Sequence, residues 1–103
     1  LKGQRVVVLT ASSGPETLQR LWSVTPDLVL LDADMPLMDG YQVCRAIRGE
    51  DRSRLVPVLI LTTGGGLAER IRCRLAGASG LLVKPLDTDE LVDVIERHLP
   101  VRF

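Results

Sequence analysis

A chain of 103 residues with 46% hydrophobic content can bury one small core, which excludes a disordered segment. Its 13 Lys and Arg balance its 13 Asp and Glu, so no field of one sign draws it to nucleic acid or a membrane surface. With only Trp22, Tyr41 and Phe103 aromatic it lacks a stacking platform for single-stranded bases, and no apolar run approaches the ~18 residues of a membrane span.

Strand-like and helical patterns alternate along the chain. Residues 5–10 form an apolar, strand-like run without alternation. A helix is expected over 15–24, with Pro15 in the first turn, where a missing N–H costs nothing, and Leu18, Leu21 and Trp22 on one face. A strand over 28–32 follows, then a helix over 39–48 burying Val43, Ala46 and Ile47. A strand over 57–62 leads through Gly64-Gly65-Gly66 into a helix over 67–76, whose inward stripe is read as Ile71 and Leu75 with Ala68 and Ala78, ended by Gly77. A strand over 81–84 and a helix over 88–99, with Leu91, Val92, Ile95 and Leu99 inward, complete a single domain over 1–103. Alternating strands and helices imply an α/β fold: an open parallel sheet with right-handed crossovers and helices on both faces. Near-continuous apolar strands fit a sheet covered on both sides.

Three strand ends carry polar groups. Leu28-Val29-Leu30-Leu31 delivers Asp32, Leu59-Ile60-Leu61 delivers Thr62, and Leu81-Leu82-Val83 delivers Lys84. Ligands of open α/β sheets sit off such C-terminal strand ends. A carboxylate, a hydroxyl and an ammonium there suit phosphoryl chemistry.

From Ala11 to Leu99 the chain resembles the receiver domain of two-component response regulators. The motifs are Leu-Leu-Asp-Ala-Asp-Met-Pro-Leu-Met-Asp-Gly around Asp32, Val58-Leu59-Ile60-Leu61-Thr62-Thr63, and Ala76-Gly77-Ala78 followed by Leu82-Val83-Lys84-Pro85. The resemblance implies a flavodoxin-like fold and a cytoplasmic phosphoacceptor domain that is not an enzyme beyond self-dephosphorylation. Asp32 would take a phosphoryl group from a sensor histidine kinase or phosphotransfer protein, with Thr62 and Lys84 contacting phosphoryl oxygens. Mg²⁺ would be held by the Asp32 carboxylate and the Asp34 backbone carbonyl. A homodimer through the 67–76 and 88–99 helices, or through strand exchange, is a further expectation.

The chain departs from the family in two ways. Receivers carry an acidic pair at the tip of their first strand; here the first strand-like run ends Thr10-Ala11-Ser12-Ser13-Gly14, so metal binding by this chain alone is expected to be weak or absent. Leu81 occupies the place of the family's aromatic switch residue. Spacing aligns residues 5–13 with the family's second strand, leaving the first strand and helix without a counterpart and four strands instead of five. An empty slot beside the Asp32 strand would cost on the order of a domain's net stability. A preceding segment in the natural protein, which a start at Leu1 rather than Met favours, could fill it. So could residues 5–10 moving into the slot, or a strand from a second copy.

Two other functions compete. One is a phosphorylation-independent pseudo-receiver that docks partners. The other is a phosphatase resembling the haloacid-dehalogenase type through Asp32-Ala33-Asp34; the internal position of that motif and the missing cap domain weigh against it. The remaining features have ordinary explanations. Cys44 and Cys73 read as buried free thiols, Gly64-Gly65-Gly66 as a mobile loop, and Glu69, Arg70, Arg72 and Arg74 as a solvated stretch. His98 suits a helix C-terminus, and Asp87, Asp89 and Glu90 a helix N-terminus. From Val101-Arg102-Phe103 no effector domain is expected to follow.

Overall fold

A computed structural model describes residues 8, 9 and 13–99, with the backbone alone at 8, 9 and 22. Its elements run β1 (Val8–Leu9), α1 (Gly14–Ser23), β2 (Leu28–Asp32), α2 (Gly40–Arg48), β3 (Val58–Thr62), α3 (Leu67–Ala76), β4 (Gly80–Val83) and α4 (Thr88–His98). Every sequence-expected element is present to within a residue or two, except that only Val8 and Leu9 of the 5–10 run, and not the Trp22 side chain, lie among the described residues.

The four strands form one parallel sheet in the order β1-β2-β3-β4. β1 pairs directly with β2, Val8 opposite Leu28 and Leu9 opposite Val29. Residues 8 and 9 thus lie beside the Asp32 strand, the second of the three arrangements expected from sequence. The fold is a flavodoxin-like open sheet, with four strands among the described residues.

Strand side chains alternate between two apolar layers. Val29, Leu31, Val58 and Ile60 face Tyr41, Val43, Cys44 and Ile47 of α2 and Cys73 and Ala76 of α3, with Leu18 and Leu21 of α1 against them. Leu28, Leu59 and Leu82 face the other way, under Leu91, Val94 and Ile95 of α4 and Leu99, which caps it. Burying each such aliphatic side chain contributes about 1.5–3 kcal/mol, which fixes strand register and so the position of each strand tip.

Two inward stripes differ from the sequence reading. On α3, Ile71, Leu75 and Ala68 are exposed, and Cys73 and Ala76 turn inward. The reason is size: small residues let α3 approach α2 closely enough for the Cys44 thiol to donate to the Ala76 carbonyl at 3.3 Å. On α4, Val92 is exposed and Val94 packs inward, giving the i, i+3, i+4, i+8 stripe 91/94/95/99. Helix ends follow the expected chemistry. Asp87 accepts from the Glu90 N–H at 2.7 Å, and Gly77 closes α3 at φ 83°, a left-handed conformation that glycine adopts without steric cost.

Candidate functional site

Register places the three polar residues on one rim. Asp32 stands opposite Leu61, Thr62 opposite Val83, and Lys84 follows directly, with its backbone N–H donating to the Thr62 carbonyl at 2.8 Å. Asp32 and Lys84 meet: Nζ lies 2.6 Å from Oδ2, with both side chains partly open to solvent. The second carboxylate oxygen of Asp32 accepts from the Asp34 N–H at 3.2 Å. Thr62 is buried, and its Oγ1 accepts from the Gly64 N–H at 3.1 Å rather than joining the ion pair. Asp34 is exposed, on the turn after the strand.

The turn carrying Asp32 is anchored by α2. Asp39 caps the helix, its Oδ1 accepting from the Gln42 N–H at 2.9 Å while the Gln42 side chain accepts from the Asp39 N–H, also at 2.9 Å. The Gly40 N–H returns to the Ala33 carbonyl at 3.0 Å. A Cβ at Gly40 would sit 2.5 Å from the Asp32 carbonyl oxygen, so only glycine allows α2 to begin this close to the acceptor turn. Met35 and Met38 pack against the core on either side of Leu37, which is 86% exposed and held at φ 71°.

Partial burial pushes the Asp32 carboxyl upward, but the hydrogen bond from Lys84, the Asp34 N–H and the Lys84 charge outweigh it, leaving the group below its ordinary value. It is therefore an anion at neutral pH, the form that can attack phosphorus.

Next to the acceptor turn an open concavity of about 210 Å³ is lined by Asp34, Asp39, Tyr41, Thr62, Thr63, Gly64, Glu69 and Arg72. Arg72 makes two contacts here, Nη2 to Asp39 Oδ2 at 3.3 Å and the guanidinium over the Tyr41 ring at 4.2 Å from its centroid. It belongs to a stretch that sequence reasoning assigned to solvent. Nothing in the sequence signalled that Arg72 would reach Asp39. Leu81 is partly buried against the core and offers no ring at the rim. An apolar hollow at the opposite ends of the strands, between Leu18, Leu21, Val24, Ile47 and Val56, holds none of the sequence-expected site residues.

Mg²⁺ takes six oxygens in near-octahedral array, commonly using carboxylates. Among the described residues no cluster of three acidic, histidine or cysteine side chains is arranged to hold a cation. Both oxygens of Asp32 already have donors, one of them cationic. The described residues thus do not form a complete metal site.

Comparison with known proteins places this geometry. Residues 1–96 match the response regulator receiver domain. Protein PilG of Pseudomonas aeruginosa is 32% identical over 93 residues, which cover 90% of this chain and 69% of PilG. The response regulator PleD of Caulobacter vibrioides is 41% identical over 80 residues, 78% of this chain but 18% of PleD. Chemotaxis protein CheY4 of Vibrio cholerae superposes with a TM-score of 0.84 at 31% identity, covering 88% of this chain and 76% of that one. The receiver domain of a sensor histidine kinase from Pseudomonas aeruginosa, solved with magnesium coordinated in its active-site cleft, superposes at 0.77 with 30% identity, covering 84% and 71%. No described helix is long and apolar enough to cross a membrane. With its sheet order, rim chemistry and sequence in agreement, this chain belongs to the response regulator receiver domain family of two-component signalling.

Proposed function

We propose that Asp32 accepts a phosphoryl group from a phosphohistidine on a sensor histidine kinase or phosphotransfer protein, and that the domain relays this as a conformational signal. The observation that carries the reading is the 2.6 Å contact between Lys84 Nζ and an Asp32 carboxylate kept ionised at neutral pH. In the transfer, an Asp32 oxygen attacks phosphorus and a P–O bond forms. The P–N bond breaks, and its electron pair returns to the imidazole nitrogen of the donor. Lys84 moves from the carboxylate to a phosphoryl oxygen, and Thr62 exchanges the Gly64 N–H for another. Later attack by water on phosphorus releases inorganic phosphate and restores the carboxylate, so the domain is a phosphoacceptor rather than a turnover enzyme.

Residues 1–103 act as one receiver domain in the cytoplasm. Any metal contact would fall to the Asp32 carboxylate and the Asp34 backbone carbonyl, and the binding would be weak; no step is assigned to it. A second copy would dock through α3 and α4, where Ile71, Leu75 and Val92 are exposed, or through exchange of β1. Nucleic acid and membrane are not partners of a domain with balanced charge.

Incubation with phosphoramidate, with and without Mg²⁺, followed by intact-mass measurement tests the reading. The parent is expected to gain one phosphoryl group and Asp32→Asn none. No gain by the parent under either condition would contradict phosphoryl acceptance and leave a docking role.

A further inference from the structure

We propose that Arg72 reads the phosphoryl group, exchanging its contacts with Asp39 and Tyr41 for phosphoryl oxygens and carrying α3 with it. This inference rests on Asp32 being the acceptor. The guanidinium projects from the middle of α3 into the concavity beside the acceptor turn and is partly exposed. In the resting arrangement it stacks on Tyr41 and pairs with Asp39, whose other oxygen caps α2. The residue after Asp39 closes the turn that carries Asp32 and Asp34. One side chain therefore ties α3 to the loop in which the reaction occurs.

A phosphoryl group at Asp32 would bring about 1.5–2 negative charges and three acceptor oxygens next to Asp34, which lines this concavity and whose N–H lies 3.2 Å from Asp32 Oδ1. Guanidinium and phosphate match in a two-pronged geometry, which a lone carboxylate oxygen at 3.3 Å does not use. The phosphorylated state gains a contact that the resting state lacks, and that difference is what a ligand needs to shift an equilibrium. The resting contacts are partly exposed and screened by solvent, weak enough to be given up. Leu81, packed against the core, offers no ring to swing, and the Arg72 contact is a side-chain link between the acceptor turn and α3 among the described residues.

The test follows backbone amide resonances of residues 70–76 in the ¹⁵N-labelled protein before and after phosphoramidate treatment, with mass spectrometry measuring phosphorylation in the same sample. The parent is expected to shift on phosphorylation. Arg72→Gln is expected to be phosphorylated to the same extent while the shifted fraction on α3 falls at least about five-fold. Arg72→Lys, which keeps the charge, should recover part of the response, and Tyr41→Phe, which keeps the ring, all of it. Asp39→Asn retains helix capping but releases Arg72, and should move the α3 resonances toward the phosphorylated positions without any phosphodonor. A full response in phosphorylated Arg72→Gln, or unmoved resonances in Asp39→Asn, would overturn the Arg72 role while leaving phosphoryl acceptance intact. Absence of any mass gain in the parent would overturn both.

Discussion

Lys84 holds the two neighbouring strands at once, its ammonium on Asp32 Oδ2 at 2.6 Å and its backbone N–H on the Thr62 carbonyl at 2.8 Å. The side-chain contact helps keep the Asp32 carboxyl below its ordinary value against the opposing effect of burial. A depressed folded-state value means that stabilisation is complete above the unfolded-state value of about 3.9 and is lost as pH falls through the folded one. Because both side chains are partly exposed the contribution is small. Urea unfolding as a function of pH should show an acid-limb loss of stability that is shallower in Lys84→Gln than in the parent.

Arg48 is expected to matter more for stability than any exposed ion pair. Its Nε donates to the Gly77 carbonyl at 2.8 Å, Nη1 to the Val56 carbonyl at 2.7 Å and Nη2 to Ser79 Oγ at 3.3 Å. It thus joins the end of α2 to the turns before β3 and β4. Arg48→Ala should lower unfolding free energy by about 1.5–3 kcal/mol, measured by chemical denaturation.

Two left-handed positions should respond with opposite sign. Leu37 is a leucine at φ 71°, a conformation that costs a side-chain-bearing residue about 1–2 kcal/mol; Leu37→Gly should therefore raise stability, by less than about 1 kcal/mol once glycine's extra unfolded-state entropy is subtracted. Gly77 sits at φ 83°, and a Cβ there would lie 3.1 Å from Arg48 Cγ, so Gly77→Ala should lower stability by about 1 kcal/mol or more. Thermal unfolding of the two variants checks the contrast.

The α3 face gives a third contrast. Leu75 is 72% exposed, and Leu75→Ser should change stability by no more than about 0.5 kcal/mol. Ile47 on α2 is fully buried, and Ile47→Ala should cost about 2–5 kcal/mol. A large loss at Leu75 would mean that α3 packs through the larger residues after all.

These positions also show what was legible in the sequence. Continuous apolar runs ending in Asp32, Thr62 and before Lys84 gave strand number, direction and rim, because burial on both faces permits only such runs. Gly77 and Asp87 marked helix ends through local capping chemistry. The inward face of α3 was not legible. Its apolar residues fit two stripes, and the choice between them depended on how closely α2 approaches, which is a tertiary property. Nor was the Arg72 contact, since a charged residue on a helix carries no local sign of the ring and carboxylate it will meet. Nor did residues 8 and 9 decide among the three arrangements open for the edge of the Asp32 strand, where β1 pairs with β2.

The most direct test is to locate the phosphoryl group. Treating the phosphodonor-exposed protein with borohydride converts an acyl phosphate at an aspartate to homoserine, which tandem mass spectrometry of peptides then places in the chain. Conversion at Asp32, absent from Asp32→Asn, is the expected result. Conversion at another carboxylate, a modification confined to a hydroxyl or to His98, or none at all would show that the Asp32–Lys84 pair is not where the chemistry occurs.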